Sequence, residues 1–294
     1  FLLLIIFMAN NINAQDDVLD RTRPPKPGPP KDVQFPDYFD TTLPNGINVL
    51  VIENNKIPAV SVRMVFKDAG SFYDGNKYGL ASLTAEMLTK GTAKRSATEI
   101  AEEIDFVGGS INAGSDWDGS YISLSVLKKH LSTGIDILSD VAQNPVFADD
   151  ELARVKEQRL SSILQGKDDA GHLSDKKFNK VVYGELPYSN PAEGTEVTVK
   201  DIKREDLADF YKMNYYSGNL IIAFVGNITK EEALKITEER FSNLPKEGMN
   251  RVNSFKYNET GGIKNVYVIN KPGAVQSNLR VGHLGIPRNN PDYI

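Results

Sequence analysis

The chain has 294 residues, 40% of them hydrophobic and 25% charged, with a formal net charge of −5. This is globular material for about two domains at ~150 residues each. Its interspersed acids and bases exclude a phosphate-binding surface as the main function, so no nucleic-acid partner is expected. With no cysteine present, disulfides, thiolate nucleophiles and Cys-ligated zinc are excluded. The three histidines His130, His172 and His283 are too scattered to form a ligand pair at helical spacing, so each reads as an exposed or core-satisfied imidazole.

The chain opens with "FLLLIIFMANNINAQ", an apolar run followed by small and polar residues, with Ala14 before Gln15 as a cleavage point. The run reads as the apolar part of a secretory signal and is too short to span a bilayer, so no stable membrane span is expected. A buried strand or helix at a domain edge is the alternative. "RTRPPKPGPP" then reads as an extended polyproline spacer. Residues 1–14 are thus assigned as a signal-peptide remnant and 15–34 as a Pro-rich linker, which predicts an exported protein.

Residues 35–247 read as one lobe. Two β-rich runs, 47–52 and 59–66, flank a polar turn that contains Pro58. Helical pattern follows over 77–90 and again from Ser96, where Glu99 completes a capping box. "SINAGSDWDGSYISLSVLKK" alternates as a half-buried strand pair does. "HLSTGIDILSDVAQNPVF" and "DDELARVKEQRLSSILQGKDD" are amphipathic helices, the second opened by Asp149 and Asp150. After the loop "GELPYSNPAEGTEVTVKDI" come a helix from Arg204 to about Asn214, the buried strand "NLIIAFVGNI" and the helix "TKEEALKITEERFSNLP". This mixture predicts an α+β lobe with its sheet on one side and helices on the other. "NVLVIE" at 48–53 recurs as "NVYVIN" at 265–270, and "AVSVR" at 59–63 is echoed by "AVQSNLR" at 274–280. Residues 248–294 are therefore expected to be a connection and the start of a second lobe, truncated because so few residues cannot bury a lobe's core.

At residues 79–92, "GLASLTAEMLTKGT", the chain resembles the pitrilysin/insulinase/mitochondrial processing peptidase family of zinc peptidases. That family's helix reads G-L-A-H-x-x-E-H-M-L-x-K-G-T. Gly79, Leu80, Ala81, Met87, Leu88, Lys90, Gly91 and Thr92 match it. Collinear segments, "LPNGINVLV", "VGGSINA", "NPVF", "LPYSNPAEGTEVTVKDI", "FYKMNYYSGNLIIAFVGNIT" and "FSNLP", extend the resemblance over roughly residues 35–294. It implies an α+β, two-lobed clam, each lobe a mostly antiparallel sheet covered by helices, with the second lobe truncated here.

Carried over position by position, the resemblance puts Ser82 and Glu86 where the two zinc-binding histidines stand and Ala85 where the glutamate base stands. Ser162 takes the place of the third ligand, with the family's spacing kept (162 − 86 = 76). A neutral hydroxyl is a poor zinc ligand and a methyl takes no proton. Glu86 reads either as a relocated acid or metal ligand, or as a solvated or Lys-paired helix residue. The resemblance also implies that an extended peptide adds as a strand beside "GGSINA", through Gly108, Gly109, Asn112 and Ala113. The alternative is that this segment is only a turn and strand start required by the fold.

The resemblance therefore implies a non-catalytic subunit with no cofactor of its own. Its expected partners are an extended peptide and a homologous peptidase subunit that carries the zinc, and its expected location is a bacterial periplasm. Three alternatives stand beside it: a structural member, a stand-alone peptide-binding protein, and an enzyme with rebuilt metal chemistry. N-terminal sequencing of the natural product is expected to start near Gln15; a mature protein that keeps "FLLLIIF" would overturn the signal assignment.

Overall fold

The computed structural model describes residues 28, 36–248, 265–288 and 290–293. The signal remnant 1–14 and, apart from Gly28, the linker 15–34 lie outside the described residues, as do residues 249–264 of the expected connection. The chain divides into two units, Phe1–Pro36 and Asp37–Ile294, and the second carries the fold.

Strand β1 (Phe39–Thr42) pairs with β2 (Asn48–Glu53), and β3 (Ala59–Phe66) follows. Helices α1 (Leu80–Met87) and α2 (Ala97–Phe106) precede the hairpin of β4 (Ser110–Ser115) and β5 (Ser120–Leu127). Five helices come next: α3 (Leu131–Gln143), α4 (Asp149–Gly166), α5 (Ala170–Tyr183), α6 (Glu196–Asp201) and α7 (Arg204–Asn214). Strand β6 (Leu220–Gly226) and helix α8 (Lys230–Phe241) complete the lobe. The sheet order is β1-β2-β6-β3-β5-β4, antiparallel throughout except for the parallel pair β2–β6.

Alternation along each strand decides the two faces. Val60, Val62, Met64 and Phe66 of β3 are buried with Ile122, Leu124 and Val126 of β5 and Leu220, Ile222 and Phe224 of β6. Helix α1 packs on β4 and β5, α3 on β5 and α8 on β2, so one sheet face is covered by helices. On the alternate positions of β3 and β5, Ser61, Arg63 and Ser125 are exposed.

The structure also departs from the sequence reading. β1, α5 and α6 were not anticipated, and α6 lies within the segment read as a loop. Residues 265–270, the second copy of "NVLVIE", form no strand; Val266 and Val268 are exposed. No strand of the sheet pairs with them, and an unpaired strand has nothing to satisfy its backbone groups except water.

Two buried carboxylates fix the ends of the "GLASLTAEMLTKGT" segment. At its start, Asp74 accepts from the Gly79 and Ala81 N–H groups, each at 2.7 Å, and so caps α1 from outside it. At its end, the Thr92 hydroxyl donates to Asp140 at 2.7 Å, and just beyond it Arg95 reaches the same carboxylate at 2.9 Å. Burial alone would raise the Asp140 carboxyl, but bonds from Thr92, Asn144 and Arg95 hold it below the usual range. The "KGT" turn is thereby tied to α3.

Asp74 behaves oppositely. Desolvation pushes its carboxyl from 3.8 up to about 7, against the N–H bonds from Ala81 and Gly79. With the folded value raised, the folded protein holds a proton there that the unfolded chain has lost, so stability falls as pH rises from about 4 to 7. Asp74→Asn keeps one acceptor oxygen and cannot titrate. Urea midpoints of wild type and Asp74→Asn at several pH values are expected to show a smaller fall over this window in the variant; parallel profiles would refute the assignment.

Candidate functional site

The site helix begins at Gly79, whose φ of 94° is left-handed and favours glycine. A side chain there would also meet the backbone of Glu193 and Gly194 at 2.9 Å. The "EGT" loop therefore lies directly on the start of α1, and Thr198 fastens it by donating to the Tyr78 carbonyl at 2.7 Å.

Of the eight residues of α1, six are buried. The two that are not, Ser82 and Glu86, stand four apart and so share one face of the helix. Both meet Arg159 of α4. Nη1 of Arg159 donates to the Ser82 hydroxyl at 2.7 Å and to the Glu193 carbonyl at 3.2 Å, while Nη2 forms an ion pair with Glu86. Only a group lying between positions 82 and 86 can touch both, so a fixed guanidinium fills the space that those two side chains bound.

The remaining expected site residues lie elsewhere. Ala85 is 0% exposed. Ser162 is exposed one turn beyond Arg159, in a shallow groove along α4. Among the described residues no hydrogen bond or ion pair joins it to Ser82 or Glu86. His130, His172 and His283 fall at the entry to α3, on α5 and in the segment 265–288. No three His, Cys, Asp or Glu side chains gather as a metal site among the described residues. As zinc donors the four family positions do not fit: they offer one carboxylate, and it is already paired with a cation.

Sequence reasoning missed Arg159 and Glu193. Glu86 does have a basic partner, but it is an arginine, on helix α4, rather than a lysine. The available signal was an unpaired acid on α1 facing a helix with arginine one turn before position 162.

The expected peptide edge sits at the margin of the sheet. β4 pairs only with β5 and is an edge strand. Gly108, with φ of 63°, turns the chain out of α2, and Gly109 closes that turn by donating to the Ile104 carbonyl at 2.9 Å. Asn112 is exposed opposite Ser123; Ala113 is half-buried opposite Ile122. The bond from Asp116 N–H to the Gly119 carbonyl sets the phase of the hairpin. Alternation from it directs the backbone groups of Ile111, Ala113 and Ser115 away from β5, toward the free edge. β4 contains neither a charge nor a proline, the usual devices that blunt an edge.

Arg159 and Glu86, with side chains 16% and 35% exposed, are partly shielded from water, and removing either leaves the other without its ion-pair partner. Arg159→Met is expected to lower stability by about 1–2 kcal/mol. Adding Glu86→Leu should recover part of that loss, with a coupling of about 1 kcal/mol in a double-mutant cycle read from urea unfolding. Additive effects would mean that the pair does not hold α1 to α4.

Residues 48–196 match the family model "Insulinase (Peptidase family M16)", and residues 201–294 match "Peptidase M16 inactive domain". A zinc protease of uncharacterized function from Rickettsia felis is 29% identical over 202 residues, 69% of this chain and 49% of its own length. "Non-peptidase homolog YmxG" of Helicobacter pylori is 27% identical over 199 residues, 68% of this chain and 46% of its own. The crystal structure of a peptidase M16 inactive domain from Pseudomonas fluorescens aligns with a TM-score of 0.70 and 29% identity, covering 74% of this chain and 53% of that one. The chain thus spans about half the length of these relatives. The second matched region begins at residue 201, yet its strand β6 lies inside the sheet built from the first. By the extent of the first match, the chain belongs to the insulinase family, peptidase family M16.

Proposed function

We propose that this protein is a non-catalytic member of its family, which holds an extended peptide and helps close a peptide chamber beside a zinc-bearing homologue. The observation that carries the reading is the bonding of Arg159 to both Ser82 and Glu86, the positions the resemblance assigns to the metal's histidines, with alanine at the base position. Water activation at zinc needs a vacant, electron-rich ligand set and a proton acceptor. Here the one acid on that face is spent on a cation.

Retention of the open β4 edge favours peptide binding, because backbone pairing needs no catalytic side chain. That edge would serve equally in a protein working without a partner, which is the second reading. The role of Gly108, Gly109, Asn112 and Ala113 in holding peptide, the zinc-bearing partner, the absence of zinc from this chain and export to a periplasm all belong to the proposal. So does the assignment of 35–247 as the first lobe and 248–294 as the opening of another. Among the described residues no helix is long and apolar enough to cross a membrane.

The test uses the full-length protein. Alone, it is expected to hold sub-stoichiometric zinc after mild dialysis and to cleave no peptide. Mixed with a family member from the same organism whose H-x-x-E-H motif is intact, it should raise that protein's peptidase activity severalfold. One tightly held zinc per chain would overturn the non-catalytic reading. Equal activity of every such homologue with and without this protein would overturn the subunit reading.

A further inference from the structure

Arginine carries five N–H donors in a fixed fork. In Arg159, Nη1 directs its two at Ser82 and the Glu193 carbonyl, and Nη2 directs one at Glu86. The Nε–H and the second hydrogen of Nη2 have no acceptor among the described residues. Arg159 is thus a largely covered guanidinium, 16% exposed, that still has donors to give. Glu86 already neutralises its charge, so a second carboxylate would meet repulsion from Glu86 whereas an uncharged oxygen would not. The group also lies at a particular margin of the lobe. Helix α1 packs on α7 and on β4, the edge strand, and presents its uncovered face to α4.

We infer that Arg159 is a peptide-positioning residue whose two free donors take one main-chain carbonyl oxygen of a peptide strand paired with β4. This deepens the peptide-edge reading above and rests on it. The ligand class follows from the donor set: an extended, uncharged stretch of backbone, held on one side by the outward groups of Ile111 and Ala113 and on the other by the guanidinium. The interaction fixes register, because only one carbonyl of the strand can reach the fork.

The experiment uses full-length protein and, as probe, the tightest-binding member of a labelled, end-capped decapeptide library, followed by fluorescence anisotropy. Each backbone carbonyl of that peptide is replaced in turn by a thiocarbonyl, whose sulfur is the poorer acceptor. Wild type is expected to lose about ten-fold in affinity at one position, the scale of a hydrogen bond to a charged donor. In Arg159→Met that position should cost no more than its neighbours; Arg159→Lys, which keeps the cation but not the fork, serves if the methionine variant does not fold. A purely structural arginine would lower affinity for every peptide without erasing a position-specific cost. Persistence of the cost in the variants, or a flat scan in wild type, overturns the proposal. Ala113→Pro, which removes an outward N–H of β4, tests the underlying reading separately. If no peptide binds wild type, or if Ala113→Pro binds as wild type does, the edge reading fails and this inference fails with it.

Discussion

The lobe depends on β6 entering between β2 and β3. Residues 221–226 pair in parallel with 48–53, and β6 pairs antiparallel with β3 along its other side. Without β6, the β1–β2 hairpin and the β3–β5–β4 group would be two small sheets with no shared ladder. A parallel pair needs a long crossover, and here it takes in nearly everything between: both site helices, the β4–β5 hairpin and the "EGT" loop. The closure therefore fixes where α1 and α4 meet. It also decides which strands are left at the margins. β1, four residues long, is a short edge flanked by Lys230 over Phe39; β4 is longer and carries no such protection.

Within that frame, Arg159 does for α1 and α4 what a bound metal would do for them. A metal held by side chains from two helices is a cross-link as well as a reagent. Loss of its ligands would leave a polar gap between the helices. A guanidinium that bonds to Ser82, Glu86 and the Glu193 carbonyl spans the same gap with weaker, more directional contacts. Under the non-catalytic proposal, the cross-link is kept and the Lewis acid is not. The positions that the resemblance assigns to two of the ligands thus hold a cation that belongs to the chain.

Much of the fold was legible because its signals are local. The strand from Ala59 to Phe66 appears with the boundaries its alternation gives, and Ser96 and Glu99 form the capping box their spacing predicts. Helix α5 was missed because it buries no residue completely, so its sequence shows no sharp apolar stripe. Helix α6 was hidden by β-branched Val and Thr in "EVTVKD"; the reciprocal bonds of Thr195 and Thr198 start it regardless. At the site, the identities at 82, 85, 86 and 162 were readable from the resemblance, and so was the placement of 82 and 86 on one face. The group between them was not, since Arg159 lies outside the motif and only the packing of α4 on α1 brings it there.

The electrostatics of Arg159 give the four differences a common logic. A glutamate at 162 would stand one turn away on the same helix and compete with Glu86 for the guanidinium. A histidine at 86 would replace the carboxylate that neutralises the cation with a group that does not, and a second histidine at 82 would exchange a compact hydroxyl acceptor for a ring. A glutamate at 85 would bring a carboxylate into a position that is 0% exposed, where it needs a partner that the present packing does not offer. A histidine restored at 86 opposes the cation and a glutamate restored at 85 opposes the packing, whereas a glutamate at 162 would draw the cation away from Glu86. Serine at 82 and glutamate at 86 are thus matched to the arginine at 159, and a change at either position is felt at Arg159.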